Sequence, residues 1–410
     1  MMSIELRLAW RNLWRHKRRT WITVSAMVFS NILLVFMLSL QVGTYQMMID
    51  NSLSLFSGHL QIQHRQYLDT PKLRYDIENP QQLAKELRTQ LGTDAVASRA
   101  ATFSLVSSDE RSFGVQVIGV EPEYDTHTST LSGLIKKGRY LSGNDSKELI
   151  LGSTLARNLK VGVGDEITIL GSGRDGSFAA GIVTVVGIFH TAMEELDRSV
   201  VQMPLGYFQS LYSSADRANY IVINTPDALA LSHWKEQIQN RLADKTQLRV
   251  REWDEIQPGI RQAILADISG AVFMYGVLIL LVAFSVMNTQ LMSVLERTRE
   301  FGTVMALGLR PGKLTRLILI ETSLMAMLGL IIGIVLGMVL TFYFQHTGLS
   351  YPGMEEMSAK FNLPDRMYPN LSFISVLAGP ALVMVGSILA AIYPAFRIRR
   401  MDPIEAMRSV

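Results

Sequence analysis

The chain has 410 residues, 48% of them hydrophobic and only 18% charged, with a net charge of +3 and no cysteine. An average soluble domain is about 25% charged. The apolar surplus gathers in four long stretches, which argues for membrane spans rather than one large soluble core. Without cysteine, a disulfide framework and a thiolate metal site are both excluded.

Residues 1–19 place Leu6, Trp10, Leu13 and Trp14 at helical spacing beside a stripe of Arg7, Arg11, Arg15 and Arg18. A basic amphipathic helix with tryptophans suits an anionic membrane surface. The n-region of a cleaved signal peptide is the competing reading, but the apolar stretch Trp21–Val42 is long for one and no Ala-x-Ala site follows. That stretch has 22 uncharged residues, enough for the roughly 20 that a span needs. A long polar region follows, and then three more apolar stretches, Ile268–Leu295, Leu314–Phe344 and Leu371–Phe396.

Orientation follows from the basic residues near the spans. Segments 1–19, 295–316 and 395–410 together carry 15 Lys/Arg and 5 Asp/Glu, leaving 24 and 31 for the rest. Four spans put these three segments on one side, so they are read as cytoplasmic, with both termini inside. The expected order is a cytoplasmic amphipathic helix at 1–19, spans at 20–44, 267–294, 314–344 and 371–396, and an external domain at 45–266. A cytoplasmic helix at 295–313, an external loop at 345–370 and a cytoplasmic tail at 397–410 complete it.

The external region predicts two strand–helix–strand units at its ends. The first runs through His59–Gln63, Pro80–Gly92 and Ala95–Val106, the second through Tyr220–Ile223, Asp227–Ala243 and Gln247–Val250. Together they suggest an α/β lobe made from 45–111 and 215–262. Between them, 112–214 reads as short strands and turns, a small β-barrel or sandwich inserted into that lobe. Gly171–Gly176 is expected to close a hairpin between Ile167–Leu170 and Ile182–Val186. The fold class is therefore an α-helical membrane protein of four spans with a large α+β external domain.

The cytoplasmic stretch Glu296–Arg310 reads as a short helix with Phe301, Val304, Met305 and Gly308 on one apolar face. Gly308 suits a C-cap, and Pro311-Gly312 prevents continuation. Such a helix lies in the lipid interface or docks a partner. In the tail, Asp402 caps, Pro403 suits the first turn and Glu405 completes a capping box. Gly308–Leu314 is no phosphate loop, since three residues separate its glycines and leucine follows the lysine. No hydrolytic motif is present, His59 and His64 point to opposite faces, and Glu194-Glu195-Leu196-Asp197 reads as a solvated loop. Glu321 is the ionisable residue inside a span, either a contact within the bundle or a side chain snorkelling to the interface. Gly329, Gly333 and Gly337 form overlapping Gly-x-x-x-Gly pairs and predict close packing within the chain or across a dimer.

These residues resemble a known family. Glu296-Arg297-Thr298-Arg299-Glu300-Phe301-Gly302 with Met305–Gly308, and Tyr393-Pro394-Ala395 with Asp402–Arg408, are similar to the signature of FtsX-like ABC transporter permeases of the mechanotransmission, MacB-type superfamily. Glu148–Gly152, Gly164-Asp165 and Val185–Phe189 resemble that family's periplasmic domain, with its α/β "porter" and β-rich "sabre" lobes. In layout the chain is most similar to the lipoprotein-releasing Lol permeases, since the 19-residue N-terminal segment holds no fused ATPase. The resemblance implies a non-catalytic inner-membrane subunit with no cofactor of its own, ATP and Mg being held by two copies of a cytoplasmic ATPase. Its other implied partners are a second permease copy or a paralogue, membrane lipids and a periplasmic lipoprotein carrier, with no nucleic acid. No residue is assigned to the carrier-binding loop.

ATPase coupling is then expected of Glu296, Arg297, Arg299, Glu300, Phe301, Gly302, Val304, Met305 and Gly308, with Asp402, Pro403 and Glu405 of the tail. Substrate entrance is expected at Met37, Leu40, Gln41, Met274 and Tyr275. The implied function is release of lipoproteins or similar amphiphiles from the membrane. The alternatives are export of drugs, peptides or toxins from the periplasm, and ATP-gated regulation of a periplasmic enzyme.

Overall fold

The computed structural model describes residues 4–15, 17–191, 193–225, 231–350, 352–354 and 366–399. The tail residues Asp402, Pro403 and Glu405 lie outside these. The chain divides into two compact units: Met1–Tyr45 with Ile264–Ser350 and Arg366–Val410, and Gln46–Ala263 with Tyr351–Asp365.

The chain opens with α1 (Ile4–Arg15) and α2 (Lys17–Ser52). The insertion continues with β1 (Leu60–His64), β2 (Ile77–Glu78), α3 (Pro80–Leu91), β3 (Val96–Ser107), β4 (Ser112–Val120) and α4 (Pro122–Thr128). Next come β5 (Ile135–Gly138), β6 (Glu148–Gly152), α5 (Ser153–Leu159), β7 (Glu166–Ser172), β8 (Phe178–Phe189), α6 (Glu194–Ser199) and β9 (Val200–Pro204). It ends through α7 (Leu205–Leu211), β10 (Arg217–Ala218), β11 (Tyr220–Ile223), α8 (Leu231–Arg241), β12 (Leu248–Glu252) and α9 (Trp253–Ile256). The last helices are α10 (Pro258–Glu296), α11 (Thr298–Ala306), α12 (Pro311–Thr347) and α13 (Phe373–Arg399).

In the first unit, α2, α10, α12 and α13 are long and apolar enough to cross a membrane. The three glycines of α12 face α2. A Cβ on Gly329 would lie 2.7 Å from Met27 Cβ, one on Gly333 2.5 Å from Asn31 Cβ, and one on Gly337 3.0 Å from Val35 Cβ. Asn31 also donates to the Gly329 carbonyl at 3.1 Å. Of the two packings the spacing allowed, the stripe serves the one within the chain, because only glycine lets the two backbones come this close. α1 contributes Leu13, which packs with Val24 of α2 and Met325 of α12, while Trp10 and Trp14 are exposed.

The second unit is built on a split βαβ pattern. Strands β12, β1, β11 and β3 lie in that order, every neighbouring pair antiparallel. Helices α3 and α8 cover one face through Leu83, Leu87, Leu231 and Ile238, buried with Leu60, Ile62, Ile221 and Ile223. The helix expected at Asp227–Ala243 is described from Leu231, since 226–230 lie outside the described residues.

Beyond β3 the strands close on themselves. β3 pairs β4, β4 pairs β9, β9 pairs β6, β6 pairs β8, β8 pairs β7, and β7 returns to β3. This ring of six strands is the expected barrel, and the predicted hairpin is β7–β8, with Thr168 opposite Ile182. The boundary drawn at residue 112 is corrected. β3 is twelve residues long; Val96–Arg99 pairs β11 of the α/β lobe and Leu105–Ser107 pairs β7 of the barrel. One strand thus serves both lobes, and the barrel is not a self-contained insertion.

A buried ion pair sits on the shared strand. Arg99 and Asp125 are fully buried, with Nε and Nη2 of Arg99 donating to Asp125 Oδ1 at 2.8 and 2.5 Å. Tyr140 donates to the other carboxylate oxygen at 2.7 Å, and the Phe56 carbonyl accepts from Arg99 Nη1. Burial, the largest single influence, would lower the Arg99 guanidinium, but the charge and hydrogen bonds of Asp125, together with Tyr220 and Tyr140, hold it above its ordinary value. The Tyr140 hydroxyl is pushed well above its usual range by burial and by Asp125.

Candidate functional site

At the cytoplasmic end of the membrane unit, α10 stops at Glu296 and Arg297 leaves helical geometry before α11 begins. α11 ends at Ala306, and Gly308 takes φ +95°, a left-handed turn that suits glycine. Pro311 then opens α12. The apolar face expected of this helix is divided. Phe301, Gly302 and Met305 are buried, Phe301 and Met305 against Val294, Leu314, Ile318, Ala395 and Ile398. They are therefore not free to meet a partner. The physical reason is that periodicity marks an apolar stripe but not what covers it, and here the third and fourth spans do. Val304 and Gly308 are exposed, and between them Leu307 is 83% exposed.

A charged cluster fastens the inner side of α11. Arg297 Nη1 lies 3.3 Å from Glu321 Oε1, its Nε 3.5 Å from Glu300, and its guanidinium 5.0 Å above the Phe301 ring. Asn12 of α1 donates to the same Glu321 oxygen at 2.5 Å. Glu321 is 5% exposed, so it is a contact within the bundle and does not snorkel to the interface. Around this core, Arg15 meets Glu300 at 3.4 Å, Arg19 meets Glu296 at 2.9 Å, and Arg316 meets Glu5 at 3.3 Å. Arg299 is exposed. Asn12 and Leu307 escaped the sequence reading: nothing in it links residue 12 to residue 321, and a leucine in an apolar run does not reveal its face.

The entrance residues come together. Met37, Leu40 and Gln41 of α2 and Met274 and Tyr275 of α10 line one open cleft of about 460 Å³. Tyr45 and Asp267 line it too. Tyr45 lies four residues beyond Gln41, on the same helix face, which was the available signal. Tyr45 donates to Asp267 Oδ2 at 2.5 Å, Gln41 Nε2 lies 3.2 Å from that oxygen, and Tyr275 donates to Gln41 Oε1 at 3.3 Å.

In the second unit, Glu194–Asp197 is not a solvated loop but part of α6, with Asp197 buried. Asp197 accepts from the Thr191 backbone at 2.9 Å, from Ser153 at 3.0 Å, and meets His190 Nδ1 at 2.6 Å. Ser153 contacts that same His190 nitrogen at 3.0 Å. A nucleophile–base–orienter relay needs the two on opposite ring nitrogens, so this cluster is not arranged as a hydrolytic triad. His59 Nδ1 accepts from the Thr225 backbone and His64 stacks on Tyr75.

Comparison with known families places both halves of the chain. Residues 20–241 match the MacB-like periplasmic core domain, and residues 272–403 match the FtsX-like permease C-terminal family. The chain belongs to the MacB- and FtsX-type ABC transporter permeases. This permease is a multi-pass inner-membrane protein with a periplasmic domain between its first two spans. It is 23% identical over 316 residues to the lipoprotein-releasing system transmembrane protein LolC of Xylella fastidiosa, covering 73% of this chain and 74% of that one. It is 23% identical over 360 residues to the lipoprotein-releasing system transmembrane protein LolE of Haemophilus influenzae, with 85% of each covered. The solved periplasmic region of MacB from Actinobacillus actinomycetemcomitans aligns with a TM-score of 0.37 and 16% identity, over 52% of this chain and 97% of that one.

Proposed function

We propose that this permease transmits ATP-driven movement of a separate cytoplasmic ATPase to its periplasmic domain, releasing lipoproteins or similar amphiphiles from the inner membrane. The observation that carries the reading is the divided α11. Its inner side is anchored by Phe301, Met305 and the Arg297–Glu321 pair, and its outer side presents Val304, Leu307 and Gly308 to solvent. A helix packed from behind, with a bare apolar ridge in front, suits a partner that pushes on it. Exposed Arg299, Glu296 and Glu300 flank the ridge and would set its register against that partner. The ATPase contributes the chemistry, and this chain supplies the lever. The likeness to lipoprotein-releasing proteins supports the cargo. A cleft lined by Met37, Leu40 and Met274 suits an acyl chain.

The test uses proteoliposomes holding the permease, its ATPase and an acylated lipoprotein. Leu307→Glu is expected to lower ATP-dependent release at least about tenfold, the loss of roughly 1.4 kcal/mol of contact, with the thermal melt unchanged. Unchanged release would remove α11 as the docking element. Failure of the unsubstituted complex to release any acylated protein would sink the cargo.

A further inference from the structure

The cleft between α2 and α10 has an apolar wall and a polar end, and the polar end is unbalanced. Asp267 Oδ2 meets only neutral groups, the Tyr45 hydroxyl at 2.5 Å and the Gln41 amide at 3.2 Å. Among the described residues no lysine, arginine or histidine pairs with it. This contrasts with the cytoplasmic end of the same unit, where Glu5, Glu296, Glu300 and Glu321 all have an arginine within 4 Å. Tyr45 and Gln41 hold the carboxylate in place and share its charge without cancelling it. Its exposure at the cleft leaves the charge available to whatever enters. A carboxylate beside an apolar slot attracts a cationic nitrogen and repels an anionic head, the more strongly the less water intervenes.

We propose that the cleft selects amphiphiles carrying an ammonium or similar cationic head, with Asp267 as the specificity-determining residue. The apolar chain lies along Met37, Leu40 and Met274, and the head meets Asp267. This rests on the reading of the cleft as an amphiphile entrance and adds the charge of what it admits. The ammonium belongs either to a bilayer lipid or to an amine-bearing cargo, and the two are separable by experiment.

Because the chain has no cysteine, Ala271→Cys in the cleft wall supplies a single labelling position for an environment-sensitive dye. The full permease in uncharged detergent is titrated with dodecylammonium and with dodecyl sulfate, in the native sequence and with Asp267→Asn or Asp267→Glu. Dodecylammonium is expected to act at a concentration at least about tenfold below dodecyl sulfate. Asp267→Asn should bring the two within about twofold, and Asp267→Glu should retain the preference. A response to added phosphatidylethanolamine but not phosphatidylglycerol assigns the head to a bilayer lipid; a response confined to the single-chain amine assigns it to cargo. Equal responses to both heads in the native protein, or a preference that survives Asp267→Asn, overturn the selectivity and leave the entrance standing. No response to either probe removes the entrance itself.

Discussion

Arg99 with Asp125 in the periplasmic domain and Arg297 with Glu321 in the membrane unit are both buried ion pairs, but their surroundings differ. The first is closed: both side chains are wholly buried, the contacts are 2.5 and 2.8 Å, and Tyr140 and the Phe56 carbonyl take up further polar atoms. The second is open: its contacts are 3.3 and 3.4 Å, and Arg297 also reaches half-exposed Glu300, which itself meets Arg15 of α1. A closed pair fixes a shape, because any rearrangement strands a charge in a low dielectric. An open pair has a second partner ready, so its arginine can exchange carboxylates at small cost. The difference teaches where each unit is rigid by construction. The strand shared by two lobes carries the closed pair, and the open one links the start of α11 to α12.

The largest effect that would break this contrast comes from Arg99→Met, which leaves Asp125 buried without its cation. A loss of about 3–5 kcal/mol is expected, seen as a lower unfolding midpoint of the full permease followed through Trp234 and Trp253. An unchanged midpoint would show that the closed pair does not hold the shared strand. A smaller effect is expected of Glu321→Gln, about 1–3 kcal/mol, because Arg297 keeps Glu300. Its signature is local: amide exchange over 298–306 should quicken while the six-stranded barrel stays protected. Exchange quickening equally in both units would erase the contrast.

The smallest effect sharpens the comparison with a surface pair. Hydrogen bonds from Arg139 and Ser142 hold the Glu148 carboxyl at about 2, below its ordinary 4.5. A lowered folded value means stability that is present above pH 4.5 and lost as pH falls towards 2. Arg139 is half-exposed, so Glu148→Gln should cost less than about 1 kcal/mol near neutral pH. The cost should vanish in acid. A cost that persists at pH 2 would mean that the side chain acts through packing.

How far the sequence revealed this molecule depended on the range of the interaction. The spans, the helix α3 with its Gly92 cap, and the β7–β8 hairpin are local patterns, and they were legible as such. β3 read as a strand, but nothing in its twelve residues says that its ends serve different lobes. Asp125 lies 26 positions from Arg99, and Asn12 lies 309 from Glu321, so neither pairing follows from spacing. At α11 the apolar period was right, while the side that packs inward was set by α12 and α13, which the period cannot see. At the cleft five residues were legible from their place in the spans, but Asp267 sits on a span boundary where a carboxylate looks ordinary.

The glycine stripe of α12 also sets apart the two walls of that cleft. With Met27, Asn31 and Val35 seated against Gly329, Gly333 and Gly337, α2 and α12 interlock along three successive turns. Beside the cleft α10 packs instead through Tyr275, Leu278 and Ile279, partly buried against the bundle, and its fully buried residues run from Val282. The two walls of the cleft are thus seated differently: α2 lies backbone-close against α12, whereas α10 meets the bundle through its side chains.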